Sequence, residues 1–190
     1  MKDGIYYIQD NQTIVQKIKE MSMIYFGIDP KKAVTMMKVR DFMVRDVITV
    51  SPENSVREVM SVFVEKKIGG VPITKKDGTL CGMVTDGDII RAIKPLDKRI
   101  HDYFSFITYI AVEERDVHLS EVINREIIKI AKTHGLVTVH PEDDMEKVVD
   151  LLSKHHFKKL PVVNGVNRVV GVISRGDVIR NIQQTMVENM

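Results

Sequence analysis

The chain has 190 residues, 44% hydrophobic and 28% charged. That is the composition of a globular protein able to bury a core, and it excludes a disordered or fibrous chain. Its 28 basic and 26 acidic residues leave a net charge of +2. The lysines stand in scattered doublets (Lys31 and Lys32, Lys66 and Lys67, Lys75 and Lys76, Lys158 and Lys159), so a nucleic-acid binder that works by neutralising phosphates is not expected. No apolar run approaches the roughly 18 to 20 residues of a membrane span. The most apolar stretch, residues 103–112, is short and interrupted by Ser105 and Thr108. The opening residues have no apolar signal region, so we read no targeting segment and expect a cytoplasmic protein without membrane contact. One cysteine, Cys81, excludes an intrachain disulfide or a paired-cysteine zinc site and suits a buried strand thiol.

In chain order, residues 1–38 place Ile14, Val15, Ile18, Met21 and Met23 in an amphipathic pattern and are expected to form an N-terminal helical extension. A first repeat spans 39–94. In it Ile48, Thr49 and Val50 predict a short strand, and Pro52 with Glu53 leads into a helix carrying Val56, Val59, Met60 and Phe63. Val71, Pro72 and Ile73 predict a second strand, Asp77 and Gly78 a turn, residues 81–84 a third strand, and Asp88 the start of a closing helix. The connecting segment 95–124 is too long to be structureless in a compact protein. Leu119, Val122, Ile123, Ile127, Ile128 and Ala131 predict a helix that His134 and Gly135 stop. A second repeat spans 125–185 and a tail 186–190.

Sliding the chain against itself establishes the duplication. At an offset of 89 residues Pro52 meets Pro141, Glu53 meets Glu142, Pro72 meets Pro161, Gly82 meets Gly171, Gly87 meets Gly176, Asp88 meets Asp177 and Arg91 meets Arg180, without a gap. Each copy therefore reads β-α-β-β-α. The turn signals break the symmetry. Asp77 and Gly78 are displaced by two positions from Asn164 and Gly165, so the two hairpin loops are expected to differ in shape.

The recurring polar motif is Gly82-x-x-Thr85-x-x-Asp88, repeated as Gly171-x-x-Ser174-x-x-Asp177. A hydroxyl followed three residues later by an acid is the spacing of a helix capping box, which needs no ligand. The same groups suit a nucleotide: an aspartate offers acceptor oxygens to the vicinal hydroxyls of a ribose, and helix-start amides favour phosphate. Both roles fit these residues.

These tandem copies, with residues 47–54, Gly69-Gly70-Val71-Pro72-Ile73, residues 158–163 and the two closing motifs, resemble a cystathionine β-synthase (CBS) domain pair. The resemblance implies an α/β (α+β) fold in which two β-α-β-β-α repeats, related by pseudo-two-fold symmetry, form one module with flanking helices. It implies clefts for adenosine-containing ligands such as AMP, ADP or ATP. By that resemblance Thr85, Asp88, Ser174 and Asp177 contact phosphate or ribose. Adenine is held near Val47, Ile48, Gly70 and Val71, and near Leu136, Val137, Lys159 and Leu160. We expect such a module to act on its own homodimer, formed through the CBS helices, or on a regulated protein partner.

Departures between the copies predict unequal sites. Lys158 and Lys159 stand where the first repeat has Gly69 and Gly70, and Arg175 stands where it has Asp86. Phosphate needs cationic donors. The second-repeat site is therefore expected to tolerate phosphate through Lys158, Lys159 and Arg175, and the first to suit a nucleoside or stay empty. The six histidines show no metal-ligand spacing, and there is no nucleophile elbow, phosphate-binding loop or dinucleotide fingerprint. Asp88 and Asp177 are equivalent by symmetry, whereas an acid/base pair needs environments that separate two pKa values. The expectation is a regulatory module with no catalytic residues, metal or catalytic cofactor. The rival readings are a ligand-free dimerisation scaffold, or a sensor of S-adenosylmethionine, NAD or an adenine dinucleotide.

Overall fold

A computed structural model of the chain describes residues 37–94, 118–154 and 157–188. They fall into two units. One comprises residues 48–94 and 118–136, the other residues 37–47 and 137–188. The expected N-terminal helix carrying Ile14 to Met23 and the apolar run 103–112 lie outside the described residues.

The first-repeat unit starts with helix α2 (Val56–Lys66), which follows a short helix α1 (Val39–Phe42) belonging to the other unit. Ser55 caps α2: its hydroxyl accepts from the Glu58 amide at 3.2 Å, and Glu58 Oε2 accepts from the Ser55 amide at 2.6 Å. Two antiparallel strands follow, β1 (Gly70–Thr74) and β2 (Leu80–Thr85), and then α3 (Asp86–Ile93). The core gathers Val56, Val59, Val71, Ile73, Val84 and Ile127, each at most 1% exposed. Burying each such side chain contributes about 1.5–3 kcal/mol. The second-repeat unit repeats this plan with α4 (Met145–Lys154), β3 (Lys159–Val163), β4 (Val169–Ser174) and α5 (Arg175–Glu188), around Val39, Val139, Val148, Leu160, Val162 and Ile173. The mixed helix and strand architecture and the duplicated small sheets agree with the sequence reading.

The expected first strand of each copy is reduced to one parallel bridge, Val50 to Ile73 and Val139 to Val162. Prolines explain this. Val50 donates to Pro72 O at 3.1 Å and its carbonyl accepts from Thr74 N at 2.9 Å. The next ladder bonds on either side would need N–H groups at Pro52 and Pro72, which neither has. Pro141 and Pro161 end the second ladder in the same way, around bonds of 3.2 and 2.9 Å.

Contrary to expectation, the two hairpin loops have the same shape. Lys75 N donates to Thr79 O and Gly78 N to Lys75 O, matched by Asn164 N to Arg168 O and Asn167 N to Asn164 O. The left-handed position is Gly78 (φ 83°) in one loop and Asn167 (φ 58°) in the other, not Gly165. Asparagine tolerates that conformation, so it replaces glycine at the aligned position.

The helix expected from Leu119 to Ala131 is also shorter. Residues 118–123 are helical, and a separate 3-10 turn covers Ile127–Lys129. Glu126 is extended (φ −59°, ψ 135°) because the chain here bonds to the first repeat. Val56 N donates to Arg125 O, Ile127 N donates to Asn54 O at 2.7 Å, and Met83 and Lys132 exchange bonds of 2.9 and 3.0 Å. The corresponding strap in the other unit is residues 37–44. Met145 N donates to Met37 O, Val39 N to Asp143 O, and Val44 and Val172 exchange bonds of 2.8 and 3.0 Å. Lys38 Nζ adds an ion pair to Asp144 at 2.7 Å. The strap preceding each repeat thus lies in the unit of the other repeat. Cys81 is half-buried rather than buried, its thiol donating to Ile73 O at 3.3 Å.

Candidate functional site

In each unit the Pro-containing strand begins opposite the residue that ends its partner and caps the closing helix. Gly70 pairs with Thr85, and Lys159 with Ser174. The cap then follows from the motif. Asp88 Oδ2 accepts from the Thr85 amide at 2.8 Å and from the Thr85 hydroxyl at 2.7 Å. Asp177 Oδ2 accepts from the Ser174 amide at 2.9 Å and hydroxyl at 2.6 Å, and the Ser174 oxygen accepts from Asp177 N at 3.3 Å. The capping role is therefore realised in both copies. Asp88 and Asp177 are nevertheless not sealed off, with side chains 15% and 14% exposed.

Sequence reasoning assigned no role to Arg91 and Arg180. The Arg91 guanidinium donates to Asp88 Oδ1, and Arg180 lies 3.5 Å from Asp177 Oδ1. The signal was present: an Asp and an Arg three residues apart on a helix, identical in both copies.

The charge inversion expected between the copies lies directly beside these caps. Asp86 N donates to Gly69 O at 3.1 Å, and a Cβ on Gly69 would stand 3.1 Å from Asp86 Oδ2. At the matching place Arg175 N donates to Lys158 O at 3.3 Å, and Arg175 Nε donates to Phe157 O at 3.0 Å. A carboxylate thus sits against the bare strand start in one unit, whereas three cationic residues neighbour one another in the other.

The apolar candidates divide differently. Val71 and Leu160 are each 1% exposed, so their side chains belong to the cores and only their backbone can face a ligand. Ile48 and Val137 pack on the cores of their respective units. Val47 and Leu136 are half-buried, and each falls in a different unit from its sequence neighbour, Ile48 or Val137. An open depression in the first-repeat unit, lined by Ser51, Pro52, Glu53, Lys75, Lys76 and Asp77, contains none of the predicted site residues. Among the described residues no three His, Cys, Asp or Glu side chains are grouped as a metal site, and no helix is long and apolar enough to cross a membrane.

The CBS domain family model matches residues 39–95 and 119–184. This chain belongs to the CBS domain family. Among its relatives, the protein MJ1426 of Methanocaldococcus jannaschii is 26% identical over 153 residues, covering 76% of this chain and 90% of MJ1426. CBSX2 of Arabidopsis thaliana, solved in complex with AMP, superposes with a TM-score of 0.60 at 26% identity, over 77% of this chain and 97% of CBSX2. MJ1225 of the same archaeon shares the fold with a TM-score of 0.67 at 20% identity, over 90% of this chain. This chain spans about half of MJ1225, 53% of its length.

Proposed function

We propose that this CBS protein is a regulatory module that binds adenosine-containing ligands at two chemically unequal sites, one at each duplicated cap. The observation that carries the reading is the repeated hydroxyl and aspartate at the end of β2 and β4, each beside the start of the Pro-containing strand. CBSX2, a relative of the same family, is known with AMP. In each site the aspartate receives the ribose, and in the second-repeat site the helix-start amides face phosphate. Lys158, Lys159 and Arg175 make the second-repeat site the one for AMP, ADP or ATP. Asp86 makes the first-repeat site one for a ligand without phosphate. Neither site needs a catalytic step, so the module acts by ligand-dependent stability and association rather than as an enzyme. Val64 on α2 and Ile90 on α3, 80% and 67% exposed, give the helices apolar surface for a second copy or a regulated partner.

The ligand-free scaffold remains the second reading, favoured by the observation that both aspartates are engaged by their own caps. A thermal-unfolding screen with AMP, ADP, ATP, S-adenosylmethionine, NAD and an adenine dinucleotide separates the two. A ligand at 100 times its Kd stabilises the folded protein by about 2.7 kcal/mol. No shift with any of these ligands leaves the scaffold.

A further inference from the structure

A carboxylate accepts about four hydrogen bonds, two at each oxygen. In the first-repeat unit the inner oxygen of Asp88 is filled by the amide and hydroxyl of Thr85, and the outer oxygen faces Arg91. In the second the inner oxygen of Asp177 is filled by Ser174, and the outer oxygen faces Arg180. One acceptor position is left on Asp88, whereas the vicinal hydroxyls of a ribose bring two donors; at Asp177 the Arg180 nitrogen stands 3.5 Å away, an ion pair that guards the outer oxygen by charge without filling it. At Asp88 both hydroxyls fit only if the arginine swings away.

We infer that Arg91, and more weakly Arg180, are internal competitors of the ligand, Arg91 holding by a hydrogen bond and Arg180 by charge alone the aspartate oxygen that the ribose requires, and so setting the affinity of each site. This rests on the proposed function, in which Asp88 and Asp177 receive the ribose. The arginines are suited to such a role. Their side chains are 72% and 68% exposed, so solvent accepts them once they are displaced, while the aspartates they leave are mostly covered. Exposed ion pairs are weak, so the competition lowers affinity modestly, by up to about fivefold. The direction is opposite to that of a ligand contact, because removing the arginine tightens binding.

The test is a calorimetric titration of the full chain with adenosine, which has no charge and no phosphate for an arginine to reach. Wild type, Arg91→Ala, Arg180→Ala and the double variant are compared at low and high salt. Arg91→Ala is expected to tighten one binding event by up to about fivefold, and Arg180→Ala the other by less, since its contact is an ion pair without a hydrogen bond. Salt screens the internal ion pairs, so wild-type affinity for this neutral ligand should rise with ionic strength while that of the double variant stays level. A merely structural arginine would not produce that salt response. Adenosine binding that is equal or weaker in the variants overturns the competition and leaves the proposed function standing. Binding of AMP without any binding of adenosine also overturns it, because the ribose would then not carry the affinity. Failure of both adenosine and AMP to bind any of these proteins removes the nucleotide reading itself, and the inference with it.

Discussion

Met43 lies across Gly171: a Cβ built on that glycine would stand 2.5 Å from the Met43 sulfur and 3.1 Å from its Cγ. The glycine is required by this approach, in which the strap 37–44 bonds to β4 through Val44 and Val172. Gly171→Ala is therefore expected to destabilise the protein by about 1–3 kcal/mol, the usual cost of overpacking. Met43→Ala in the same chain should recover part of that loss, since the two residues touch. The aligned Gly82→Ala should cost less, because its nearest neighbours, Ile73 Cδ1 and Ile128 Cδ1, are side-chain tips at 3.2 and 3.3 Å. Thermal unfolding of the three single variants and the Met43/Gly171 double variant measures this order.

The caps make a prediction that needs no ligand. Ser174→Ala removes both the donor to Asp177 and the acceptor for its amide, and should cost about 1 kcal/mol of stability in ligand-free protein. An unchanged melting temperature would show that the hydroxyl does not cap α5 in solution.

Asp143 gives the second-repeat unit a pH dependence. Burial raises its pKa and is the largest single influence, but the Lys147 ammonium, the His140 amide and the nearby charge together outweigh it and hold the carboxyl below its ordinary 3.8. Because the folded value is depressed, the ionised carboxylate contributes stability above the unfolded pKa. That contribution is lost as pH falls through the folded value. Asp143→Asn should flatten this acid limb of the stability curve. The substitution imitates the other repeat, where Asn54 accepts from Ser51 N at 2.8 Å as Asp143 accepts from His140 N at 2.8 Å. Denaturant unfolding from neutral pH to about pH 3 compares the two proteins. An acid limb left as steep in the variant would assign it to other groups.

The charge inversion predicts ligand selectivity. Lys158→Ala with Lys159→Ala should weaken ATP binding about tenfold or more, as expected for the loss of two charge-assisted contacts, and leave adenosine binding nearly unchanged. Gly69→Lys with Asp86→Arg should confer ATP binding on the first-repeat site. The two changes belong together, since a side chain at 69 meets the Asp86 carboxylate at 3.1 Å. Titration with ATP and adenosine reads both, and equal losses for the two ligands in the lysine variant would argue against a phosphate role.

How much of this was legible in the sequence depended on whether a feature was local. The helix announced by Val56, Val59 and Phe63, and its counterpart in the second copy, formed where the periodicity and the 89-residue offset placed them. The Thr85 and Ser174 caps lay within one turn and could be read directly. The shortened first strands could have been anticipated from Pro52 and Pro72, once both were seen as missing donors in one ladder. The hairpin symmetry was hidden by attending to Gly165, when the aligned residue Asn167 occupies the position of Gly78. The exchanged straps were not legible, because Val39 and Ile127 look like ordinary helix residues and only tertiary contact shows which core receives them.

That exchange also sets an order on the ribosome. The described parts of the first-repeat unit, residues 48–94 and 118–136, are all made once Leu136 is added. The other unit needs Val39 and Met43, which are synthesised first, yet the strands they join come after the whole of its neighbour. At about 5–20 residues per second, these apolar side chains wait several seconds for their partners. During that interval the nascent chain presents an unfinished edge to whatever accompanies it.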